Sequence, residues 1–128
     1  MTTTVDFLKT LNSLHNIGDT GFIYEAASEV CNQKRKDLES RFDEFETCCE
    51  WIQKFRFHPT ERQIKKYVQV QTYNSYFLKH LVEKWSGKYI SNGAFIAAVR
   101  FLGISSRPIY GTPDLSVTIF LKPEATLI

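Results

Sequence analysis

Only three cysteines, four prolines and six glycines occur in 128 residues, and each shortage closes off a class of protein. Cys31, Cys48 and Cys49 are odd in number, and the adjacent pair is too close for an easy mutual disulfide. A disulfide-framed scaffold is therefore not expected, and a reducing, cytoplasmic setting fits best. No CxxC or HxxxH spacing joins these cysteines to His15, His58 or His80, so no metal site is expected, because structural zinc needs four ligands at characteristic spacing. No apolar run approaches the roughly 18–20 residues that cross a bilayer. The opening MTTTVD lacks a basic segment followed by an apolar one, so no secretory signal is expected. Ser91-Asn92-Gly93 and Gly111-Thr112-Pro113 match no glycine-rich phosphate fingerprint. There is no repeat, no low-complexity tract and no linker, so residues 1–128 read as a single domain.

What is present is a globular composition, 43% hydrophobic and 23% charged, which excludes wholesale disorder. Phenylalanine supplies 10 of the aromatic residues, most of them expected in the core. Charge is divided by position. Residues 1–53 hold five Lys/Arg against ten Asp/Glu, a net charge of −5. Residues 54–88 hold eight Lys/Arg against Glu61 and Glu83, a net charge of +6. Residues 89–128 add +1, so the total of +2 conceals an acidic half and a basic segment. Opposed patches of this size point to an electrostatic partner, nucleic acid being the usual one for a basic surface. They also allow head-to-tail association of two copies, a homodimer.

The apolar spacing reads as five to six helices. Val5, Leu8, Leu11 and Leu14 repeat by threes before Gly18. Asp19 or Thr20 can cap a second helix through Phe22, Ile23, Ala26, Ala27 and Val30. Leu38, Phe42, Phe45, Cys49 and Ile52 step by four and three along a third helix flanked by acids. Residues 60–63 match a capping box and open a short helix with Ile64, Tyr67 and Val68 on its face. A polar break over residues 69–74 follows. Asn74 or Ser75 caps a helix through Phe77, Leu78, Leu81, Val82 and Trp85, closed by Gly87. Ser91-Asn92 opens the last helix, with Phe95, Ile96, Val99 and Leu102 along it and Gly103 after it. The period then changes to two: residues 107–110 and 115–121 read as a hairpin, with Leu115, Val117, Ile119 and Leu121 on one face. The expected fold is mainly α (α+β), one domain ending in a β-hairpin.

Residues 60–85 carry the strongest functional pattern. A capped helix, a short turn and a second helix follow the helix-turn-helix layout, and the terminal hairpin stands where a winged domain has its wing. On this reading nucleic acid meets Arg62, Lys65, Lys66, Gln71, Tyr73, Asn74, Tyr76, Lys79, His80, Lys84 and Lys88, types suited to phosphates, base edges and stacking. Lys65 and Gln69 depart from the small residue and the turn glycine of that layout. The bland alternative is two ordinary helices with a solvated basic face. The acidic residues Glu39, Asp43, Glu44, Glu46 and Glu50 have a reading of their own. They can imitate phosphates and bind a protein's nucleic-acid groove, or simply solubilise a helix. Cys48 and Cys49 lie among Glu46 and Glu50, which oppose thiolate formation. No cofactor and no enzymatic activity are expected.

One stretch, YFLKH at residues 76–80 followed by YISNGAFIAA at 89–98, resembles a pattern in small uncharacterised proteins of phages and mobile elements. The resemblance implies an accessory protein: a regulator that binds DNA, or an inhibitor of a host machine, such as an anti-CRISPR or other anti-defence protein. It carries no site residues. The leading expectation is a non-enzymatic nucleic-acid-binding protein using its basic helical segment. The alternative is an inhibitor or adaptor that binds a host protein complex through its charged faces.

Overall fold

A computed structural model describes residues 2–14, 16–24, 28–58 and 71–126. Among them the chain is mixed α+β, with five α-helices and two small antiparallel sheets. The helices are α1 (Thr4–Ser13), α2 (Ser28–Glu39), α3 (Phe42–Phe55), α4 (Ser75–Ser86) and α5 (Asn92–Phe101). The helix expected from residues 60–63 onward, with Ile64, Tyr67 and Val68, lies outside the described residues.

Thr3 opens α1 with a capping box: its hydroxyl accepts from the Asp6 N–H at 3.1 Å, and the Asp6 carboxylate accepts from the Thr3 N–H at 3.0 Å. The buried face is Phe7, Thr10 and Leu11, with Leu14 partly covered, while Val5 and Leu8 are exposed. The expected stripe by threes is thereby corrected. Steps of three fall behind a 3.6-residue turn, so Val5 and Leu14 lie about half a turn apart. Phe7, Leu11 and Leu14, spaced by four and three, keep to one face.

Of the helix expected after Asp19, Phe22 lies in a strand instead and Val30 lies in α2, while Ala26 and Ala27 are outside the described residues. β1 (Ile17–Gly18) and β2 (Gly21–Phe22) make a hairpin whose turn is Asp19 and Thr20. Gly21 adopts φ +113°, a conformation open to glycine. The Leu38–Ile52 stripe also spans two helices rather than one. Leu38 belongs to the last turn of α2, and Arg41 interrupts the helix with non-helical backbone. The spacing survives that break, because Leu38, Phe45, Cys49 and Ile52 are all buried and Phe42 partly so.

α5 is the centre of the molecule. Every residue from Asn92 to Val99 is buried, and the small side chains of Ala94, Ala97 and Ala98 let neighbouring elements approach it closely. Ser91 caps its start, accepting from the Ala94 N–H at 3.3 Å. Its end is a Schellman motif on Gly103 (φ +69°), with Gly103 N–H donating to Arg100 O and Ile104 N–H to Val99 O.

The C-terminal hairpin forms as β4 (Ser106–Pro108) and β5 (Leu115–Thr118), shorter than the expected runs. Leu115, Val117 and Ile119 face the core as the alternation requires. A third strand, β3 (Thr72–Asn74), arises from the expected polar break and pairs with β5, giving the order β3-β5-β4.

A buried polar knot joins these parts. The Asn92 amide donates to Thr20 O at 3.2 Å and Asp114 Oδ1 at 3.0 Å, with Pro113 O at 3.3 Å, and it accepts from Ser75 Oγ at 2.9 Å. Ser75 Oγ in turn accepts from the Leu115 N–H. Around this knot the backbones nearly touch: a Cβ added at Gly93 would stand 2.0 Å from Gly18 O.

Candidate nucleic-acid interface

α4 is set directly by the sheet. Asn74 ends β3 and caps the helix, its side-chain oxygen accepting from the Tyr76 N–H at 2.7 Å while its amide donates to Asp114 Oδ2 at 3.1 Å. Gly87 closes the helix in the left-handed conformation. Ser75, Leu78, Lys79, Leu81 and Val82 form the inward face. The outward face carries Tyr76 and Phe77, 52% and 48% exposed, and Lys84 and Trp85. The Tyr73 ring stacks on Phe77, centroids 6.0 Å apart and planes 8° from parallel, and its hydroxyl donates to the Gln71 side chain. His80 meets Tyr76 edge-on at 4.5 Å. Of the apolar residues read along this helix, Phe77 and Trp85 are partly exposed. Leu78, Leu81 and Val82 are buried in the core.

Lys79 is only 5% exposed and cannot serve as a solvent-facing phosphate contact. Its ammonium donates to Ile90 O at 3.0 Å and to Glu83 Oε2 at 3.4 Å, between the rings of Tyr76 (5.0 Å) and Tyr89 (5.1 Å). Glu83 also accepts from the Ile90 N–H at 3.1 Å and pairs with His80 Nδ1 at 2.6 Å. Partial burial by itself would raise the Glu83 carboxyl, but these bonds from Ile90, His80 and Lys79 hold it below its ordinary value. The cluster fixes the loop between α4 and α5.

The remaining expected contacts divide. Gln71, Asn74, Lys84 and Lys88 are exposed, and Lys88 lies 3.6 Å from Asp43. Arg62, Lys65 and Lys66 lie outside the described residues. Beside α4, the outer face of the sheet is polar: Thr72 pairs with Thr118, and Asn74 and Arg107 flank Ser116. Arg107 was not among the expected contacts, since it read only as the start of a strand.

The acidic set is partly structural. Glu44 accepts from Arg41 at 2.8 Å and from the Ser91 N–H at 2.7 Å, tying α3 to the cap of α5. Glu39 pairs with Arg35, and Glu46 accepts from Thr2. Asp43 and Glu50 face solvent. Cys48 and Cys49 are buried beneath them. Burial, with Glu46 and Glu50 adding to it, pushes the Cys49 thiol up to about 12, and burial beside Cys49 and Glu44 raises Cys48 well above its ordinary value. No helix among the described residues is long and apolar enough to cross a membrane. No protein-family model, curated protein or solved structure matches this chain.

Proposed function

We propose that the protein is a non-enzymatic nucleic-acid-binding accessory protein, and that the outward face of α4 engages single-stranded nucleic acid. The observation that carries this is the pair of half-exposed rings, Tyr76 and Phe77, with Tyr73 stacked beneath Phe77 and Lys84 about two turns further along. Solvent-facing aromatic rings within a basic segment are what single strands require, since bases stack on the rings while cations follow the phosphates. The +6 charge of residues 54–88 supplies the attraction. The burial of Lys79 favours stacking over a phosphate-clamped duplex. A helix-turn-helix-like second half, with α4 as its second helix and the β4–β5 hairpin as its wing, is the finer form of the reading. The phage-protein resemblance fits a regulator of this kind.

The test is fluorescence anisotropy with a labelled oligonucleotide of about 16 bases, the upper site size of such modules. Tyr76→Ala and Phe77→Ala should each cost about 1–3 kcal/mol of binding. Lys84→Glu should also weaken it, and Glu50→Lys should not. If single and double strands both fail to bind at low salt, the reading fails. If Glu50→Lys or Asp43→Lys then abolishes a biological effect, the protein acts instead as an anti-defence inhibitor, through its acidic face on a host protein.

A further inference from the structure

Away from α4, the end of α1, the β1–β2 hairpin, the last turn of α5 and the β4–β5 tip enclose a cleft of about 510 Å³. That volume is in the range of small-molecule sites. Its walls are Leu14, Phe22, Ile23 and Pro108. Two tyrosines stand at it in unusual exposure, Tyr24 at 54% and Tyr110 at 95%. Tyr110 precedes Gly111, whose φ of +80° turns the hairpin tip. The single charged group lining the cleft, among the described residues, is Arg100. It is exposed, and its guanidinium has no ion-pair or hydrogen-bond partner among the described residues. An unpaired guanidinium over an apolar floor is complementary to one anionic group carried on an apolar body, and it offers two parallel N–H donors to a carboxylate, sulfonate or phosphate. The tyrosine rings add flat surface on which an aromatic body stacks.

We infer that this cleft binds a small aromatic molecule bearing a single anionic group, with Arg100 holding the anion and Tyr24 and Tyr110 holding the ring system. The site is independent of the nucleic-acid reading of α4.

The probe is 1-anilinonaphthalene-8-sulfonate, compared with N-phenyl-1-naphthylamine, which has the same rings and no sulfonate. The folded protein should bind the sulfonate saturably at one site. Arg100→Gln should weaken that binding about ten- to hundred-fold, the worth of a charge-assisted hydrogen bond, and leave the neutral probe unchanged. Tyr110→Ala should weaken both probes. Arg100 and Tyr110 are exposed, so neither substitution removes a buried contact, and an unchanged thermal melt checks that each variant is folded. Absence of saturable binding overturns the inference. So does an Arg100→Gln variant that binds the sulfonate like the parent, or one that loses both probes alike. Loss of binding in Phe77→Ala would place the probe on α4 and overturn it as well.

Discussion

Phe45 sits where the rings of Phe7 (4.8 Å), Phe101 (5.5 Å) and Phe42 (6.1 Å) converge, and it is wholly buried. Phe45→Ala should therefore destabilise by about 3–5 kcal/mol, read from a chemical-denaturation midpoint. Asn92 is a different kind of core residue, since its amide must donate. Asn92→Asp would set a carboxylate against Asp114 and two backbone carbonyls. It should cost more at neutral pH than Asn92→Ala, and part of the excess should return in acid as the new carboxyl protonates. Sequence reading identified Phe45 because apolar residues announce themselves by spacing. It could not tell Lys79 from Lys84, because one lysine looks like another until the fold decides which ammonium meets Ile90 O and Glu83. Nor could it single out Arg100, whose interest lies in having no side-chain partner among the described residues.

Among the elements, helices with several turns of apolar pattern were legible, best where a cap was read as well. α1 was found as a helix with the wrong face, since Phe7 rather than Val5 and Leu8 is buried, whereas α4 was marked by Asn74 and Gly87 and α5 by Ser91 and Gly103. The β1–β2 hairpin was not, because two-residue strands are too short to show a period, and Asp19-Thr20 suits a helix cap as well as a turn. β3 was missed because its partner, β5, lies 40 residues or more away. Within the segment at residues 89–98, Ser91 caps α5 and residues 92–98 are buried in it, so its small residues serve close packing. Gly93→Ala should consequently be more damaging than an ordinary helix alanine. Its Cβ would collide with Gly18 O, and a loss of about 2–3 kcal/mol or more in a thermal melt is expected. The loop between α4 and α5 gives a pH signature. Glu83 titrates lower in the fold than in the unfolded chain, so its contribution is whole above about pH 4.3, the unfolded carboxylate value. It is lost as pH falls through the lower folded value. Glu83→Gln should be less stable than the parent at neutral pH, and the two stabilities should converge in acid.

At the scale of the molecule, the charge division was legible from the positions of the charges along the sequence, yet the fold uses some of that charge internally. Glu44 anchors Ser91, Lys79 is enclosed, and Lys88 lies beside Asp43. What is left on α4 is aromatic as much as basic, which shifts the proposed ligand from duplex to single strand. The measurement that tests this most directly is the affinity of the unmodified protein for a single-stranded oligonucleotide across a range of salt. About three to five phosphate contacts should give a log–log slope of about −2 to −3.5, at about −0.7 for each contact on a single strand. The same length of duplex should bind more weakly at every salt concentration. A flat salt dependence, no binding at low salt, or a preference for duplex would contradict it.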